Sequence, residues 1–88
     1  MASEPCYSKV ADEQLDEIEM SGDHELFNDL VNACEDILDN PGRARERSAA
    51  ITTTEGVRFR FPVQGRAPYK IFWSSEGPRI EAVYPYPS

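Results

Sequence analysis

Val57-Arg58-Phe59-Arg60-Phe61 alternates apolar and basic side chains without a break. A period of two marks a β-strand with one covered and one open face. Val57, Phe59 and Phe61 are therefore expected on the covered side, with Arg58 and Arg60 on the other. Pro62 has no N–H to donate and limits further pairing. Downstream, Gln64-Gly65-Arg66 reads as a turn and Tyr69-Lys70-Ile71-Phe72-Trp73 as an aromatic-rich strand. Residues 74–78 form a second turn, and Arg79-Ile80-Glu81-Ala82-Val83-Tyr84 a last strand. Connections this short favour antiparallel neighbours. Residues 57–84 thus read as a three-stranded meander, with Tyr69, Ile71 and Trp73 on the covered face. Lys70 and Phe72 fall beside the arginines, joined by Arg79 and Glu81 if the last strand keeps phase. By composition alone Tyr69, Phe72 and Trp73 are core or core-edge residues.

Upstream the period changes. Phe27, Leu30, Val31, Cys34, Ile37 and Leu38 recur at spacings of three and four, one stripe of a helix that Leu26 and Ala33 widen. Asp23 is placed to cap it, and Asn40-Pro41-Gly42 to stop it. A shorter acidic helix precedes it over residues 12–20, with Leu15, Ile18 and Met20 at the apolar positions and Ser21-Gly22 at its end. Residues 7–10 suit a brief first strand, and residues 43–56 read as a loop with at most a helical turn. The fold class is α+β: a helical hairpin over residues 11–39 packed on a small antiparallel sheet at 57–84, in a single domain spanning 1–88. Phe27, Leu30 and Ile37 should be buried, and Arg58 and Arg60 should share an exposed face.

Eighty-eight residues carry a net charge of −7, but the charge is divided unevenly. Residues 1–42 hold twelve carboxylates against Lys9 alone, a net −11, and residues 43–88 hold eight basic residues against four carboxylates, a net +4. An acidic total disfavours non-specific binding to nucleic acid, whereas the split permits a local basic face. The N-terminus shows no basic-then-apolar signal pattern, and no apolar run approaches the roughly 20 residues of a membrane helix. A soluble cytoplasmic protein is expected. Cys6 and Cys34 read as free thiols; with one histidine and no close cysteine pair, neither a metal site nor a cofactor is expected.

Gly65-Arg66, the strand Tyr69-Lys70-Ile71-Phe72-Trp73, the turn at Gly77 and the strand Arg79-Ile80-Glu81-Ala82-Val83-Tyr84 together resemble the closing hairpin of the RelE/ParE toxin superfamily. The layout, a short strand, a helical hairpin and a meander, is similar to that family over most of the chain; the motif likeness covers residues 56–84. The resemblance implies the toxin partner of a two-gene toxin–antitoxin pair, held in check by an antitoxin that covers its active face. It implies growth inhibition by ribosome-dependent mRNA cleavage or by poisoning of DNA gyrase, with a non-toxic interaction module on the same fold as a third alternative. The chain departs from the RNA-cutting branch in its isoelectric point of about 4.5 and in having no histidine near the C-terminus.

RNA cleavage requires a base for the 2′-hydroxyl, positive charge for the phosphorane and a proton for the 5′-oxygen. Arg58 and Arg60 project from one face at a spacing suited to a phosphate, and Arg79 extends the cluster. Glu81 or Lys70 can serve as base. Tyr84 or Tyr86, which match the family's terminal aromatic, can stack on a base or assist the leaving group. Arg58, Arg60, Arg79, Glu81 and Tyr84 are thus the candidate catalytic residues, and Arg66, Lys70 and Tyr86 the candidate substrate-binding ones. Against this stands the plainer reading of alternating arginines as a solvated strand face that resists aggregation. An exposed sheet edge also leaves a homodimer open.

Overall fold

The computed structural model describes residues 6–84. The alternating stretch forms β2 (Gly56–Pro62), which pairs antiparallel with β3 (Lys70–Ser74) and on its other side with β1 (Ala49–Thr53); β4 (Arg79–Tyr84) closes the sheet on β3. The order β1-β2-β3-β4 is a four-stranded meander. It has one strand more than expected, because residues 43–56 are not a loop. Pro41, which ends the long helix, is also the first residue of α3 (Pro41–Glu46), with Asn40 Oδ1 accepting from Arg43 N–H at 3.2 Å. Proline suits that position, where its missing N–H would have no helical partner. β1 follows at once. Its side chains are small, so no apolar alternation announces it.

Two longer helices precede the sheet. α1 (Lys9–Met20) begins three residues earlier than the apolar spacing suggested, because Ser8 caps it. Ser8 Oγ accepts from Ala11 N–H at 3.0 Å and donates to the Glu81 carbonyl at 2.6 Å. The expected strand at residues 7–10 is reduced to one parallel bridge between Tyr7 and Ile80, since the helix takes over directly afterwards. α2 (His24–Asp39) follows the stripe closely, with Asp23 capping Leu26 N–H at 3.1 Å.

All three helices lie on one face of the sheet. α1 packs over β4, α3 rests against β2, and α2 lies between its two neighbours. The core holds Leu15, Ile18, Leu30, Cys34 and Ile37 from the helices against Phe61, Ile71, Trp73, Ile80 and Val83 from the sheet. Each fully buried aliphatic side chain contributes about 1.5–3 kcal/mol. Trp73 is fully buried, its ring 5.0 Å from that of Phe59, and its indole N–H donates to Ser48 Oγ at 3.1 Å.

Burial departs from the expected faces at several places: Met20, at the end of α1, is exposed, and Val31 and Leu38 at the margin of the α2 stripe are half-buried. Phe27 is only half-buried, because Leu26, one position earlier, takes the inward place on α2. Val57 lies on the helix side of β2 but is 51 % exposed, because the helices end short of that corner of the sheet. Cys34 is buried and Cys6 exposed, both as free thiols.

Candidate functional site

Among the described residues no helix or strand covers the sheet face opposite the helices, and this face gathers most of the cations singled out above. From β2 come Arg58 and Arg60, the latter in register with Phe72, which itself faces Ala82. From β3 come Lys70, Phe72 and Ser74; Lys70 lies opposite Tyr84, and Ser74 opposite Arg79. Register shifts between Phe72 and Trp73, which pair with Ala82 and Ile80 respectively, so Glu81 is an extra residue on β4. Such a bulge re-aims a side chain. Here it lets Glu81 reach the open face, where Glu81 Oε2 accepts from Ser74 Oγ at 2.8 Å. The phase of the last strand, which alternation alone leaves undecided, is therefore set by the bulge.

The Phe72 and Tyr84 rings meet edge to face on this surface, centroids 4.8 Å apart and planes at 64°. Phe72 is thus a half-exposed residue of the open face as well as a strand former. Its place follows from alternation with buried Trp73. The pair is flanked by charge. At one end Arg58, Ser74, Glu76, Arg79 and Glu81 line a hollow of about 320 Å³. At the other, Arg60, Lys70, Arg47, Ala49 and Pro62 line a shallower one of about 440 Å³.

The cations of this face have free bonding capacity. Among the described residues, none of Arg58, Arg60, Lys70 and Arg79 makes an ion pair with a carboxylate. Arg58 Nη1 donates to its neighbour's carbonyl at 3.3 Å, and Lys70 Nζ to the Pro68 carbonyl at 3.3 Å. Residues two apart on a strand lie about 6.5–7 Å apart along it, comparable to the spacing of successive phosphates in a single strand. Glu55, Glu76 and Glu81 are the carboxylates of the first hollow, and Glu81 is the one held by Ser74.

Arg66 is placed elsewhere. Its Nε donates to Asp29 Oδ2 at 2.7 Å and its Nη2 lies 4.0 Å from Glu25 Oε1, tying the β2–β3 turn to α2 on the helix side. The hydrogen bond to Asp29 raises its pKa above the usual arginine value. Tyr86 lies outside the described residues. Arg45 and Arg47 lie over the rings of Phe59 and Phe61, at 5.8 and 5.5 Å, and so shield the sheet's apolar margin.

Tyr84 and the place of Phe72 on this face were legible in the sequence; Ser74 and the contact between the two rings were not. A serine between a tryptophan and a turn, two positions from an aromatic, was the available signal. Among the described residues no group of histidine, cysteine and carboxylate side chains is arranged to hold a metal ion, and no helix is long and apolar enough to cross a membrane. Comparison of the chain with known protein families, curated proteins and solved structures found no match.

Proposed function

We propose that this protein binds single-stranded RNA on its open sheet face and cleaves it, acting in the cytoplasm as the growth-inhibiting toxin of a toxin–antitoxin pair. The observation that carries the reading is the grouping of Arg58, Arg60, Lys70 and Arg79 with the Phe72–Tyr84 pair on the one face the helices leave uncovered. Arginine and lysine neutralise phosphates, and exposed rings stack on unpaired bases. Glu81 takes the proton of the 2′-hydroxyl as the 2′-oxygen attacks phosphorus. Arg58 and Arg79 balance the charge of the phosphorane, and the 5′-oxygen departs with a proton from Tyr84 or water. The products are a 2′,3′-cyclic phosphate and a free 5′-hydroxyl. The ribosome would present the mRNA, and an antitoxin would cover the same face.

The acidic surface of α1 and α2 supports a second reading, a non-catalytic inhibitor that docks on a protein such as DNA gyrase. The carboxylates of these helices repel nucleic acid from that side and favour a basic protein surface. Controlled expression with protein and DNA synthesis followed in parallel separates the two. Translation failing first, with growth restored by Arg58→Ala or Arg60→Ala at equal protein level, is the expected outcome. Both side chains lie on the open face, so their removal leaves the core intact. A DNA-damage response with intact mRNA would select the gyrase reading, and unimpeded growth at confirmed soluble expression would overturn both in that host.

A further inference from the structure

The two edges of the sheet are treated differently. On the β4 edge, Ser8 N–H donates to the Ile80 carbonyl at 2.8 Å and Ile80 N–H to the Cys6 carbonyl at 2.7 Å, so residues 6–8 occupy it. β1 has β2 on one side and, among the described residues, no strand on the other. Natural edges are usually blunted by charge, proline or a bulge. β1 has none of these: Ala49-Ala50-Ile51-Thr52-Thr53 is uncharged, free of proline, and pairs with β2 in unbroken register.

We propose that β1 pairs with β1 of a second copy of this chain, antiparallel about a two-fold axis at Ile51, merging two sheets into one. The charges that flank the strand point to this occupant. Around that axis Ala50 faces Thr52 of the second copy, Ala49 faces Thr53, and, in continuation of the register, Arg47 faces Glu55. Symmetry makes two such Arg–Glu pairs, one at each end of an uncharged seam. Moving the axis to Thr52 sets Glu55 opposite Ala49 and loses both. Arg47 is exposed in the single chain, resting on Phe61 and donating to Gln64 Oε1 at 3.1 Å, so its reach across the seam displaces only surface contacts. Of the two acidic helices, α1 packs over β4, at the far side of the sheet from β1, and α2 meets the near side through α3, which carries Arg43 and Arg45.

Directly opposite residues of antiparallel strands point to the same side. The open faces of both protomers therefore become continuous, with Arg58 and Arg60 of each copy one strand from the seam. The dimer stands independently of what that face binds. Pairing along one short edge buries less than the roughly 1,600 Å² of a standard stable interface, so association is concentration-dependent.

Sedimentation equilibrium up to the solubility limit should show the mass rising from the 9.9 kDa of one chain towards twice that value. Ile51→Lys sets like charges on the axis and should leave a monomer. Glu55→Arg should weaken association by roughly tenfold, and adding Arg47→Glu should restore it. In a Cys6→Ser background, Ile51→Cys should form a disulfide-linked dimer under mild oxidation, whereas Thr53→Cys, facing Ala49, should not. A monomer at every concentration, or cross-linking through position 53 as readily as through 51, overturns the proposal.

Discussion

Cys34 shows how one side chain takes its chemistry from its surroundings. It is fully buried, and burial pushes its thiol up from the ordinary 9.0 to about 12; the charge of Glu35 adds to the rise, while the hydrogen bond with Tyr7 opposes it. Burial likewise raises the Tyr7 phenol above its usual range. A group that ionises later in the folded chain than in the unfolded one costs stability as pH rises, since the unfolded state releases its proton first. The melting temperature should therefore fall as pH climbs from about 9 towards 12. Cys34→Ala should flatten that slope while lowering the whole curve through the cavity it leaves. A pH slope unchanged in Cys34→Ala would assign the loss to other groups. The apolar spacing of α2 identified Cys34 as a core residue; its contact with Tyr7 was not legible, because it depends on where the chain enters α1.

Among the elements, α1 is capped and joined to β4 through Ser8, beside the backbone bonds of Cys6 and Ser8 to Ile80. Ser8 caps the helix and bonds to β4 through the Glu81 carbonyl, next to the bulge that turns the Glu81 side chain outward. Losing a serine cap usually costs about 1 kcal/mol, and here a β4 contact goes with it. Ser8→Ala should lower unfolding stability by about 1–2 kcal/mol in denaturant titration, and an effect near zero would show that the cap is dispensable. The helices were legible in their apolar stripes and β2 in its alternation. α3 and β1 were not, for α3 is a single short turn-and-a-half and β1 is made of small residues at an edge. An edge strand half open to solvent imposes little pattern on its side chains.

Across the whole molecule, the carboxylates of α1 and α2 lie on the helix side, while Arg58, Arg60, Lys70 and Arg79 lie on the open sheet face with Glu76 and Glu81 among them. Arg43, Arg45 and Arg66 stay on the helix side. An acidic protein can then hold a polyanion on one side alone. Each phosphate neutralised on a single strand adds about −0.7 to the slope of log affinity against log salt. Contacts from Arg58, Arg60, Lys70 and Arg79 should give a slope of about −2 to −3 with an unstructured oligoribonucleotide, and Arg58→Ala should make it shallower by about 0.7. A salt-independent or undetectable affinity would count against the open face as an RNA surface. Phe72→Ala should weaken binding with the slope unchanged, since stacking carries no counterions.

What the sequence determined by itself was periodic. Alternation placed Arg58 and Arg60 together and away from Phe59 and Phe61, and the spacing of three and four built α2, because side-chain direction within an element follows from its local backbone geometry. The α+β class followed from those two periods. Tertiary structure decided the rest: that β1 joins the sheet, that Arg66 bonds to Asp29 on α2, and that a bulge aims Glu81 at the open face. It also decided that Val57 stays exposed, where the helices fall short. These outcomes depend on which distant surfaces meet, and no local repeat in the chain encodes that.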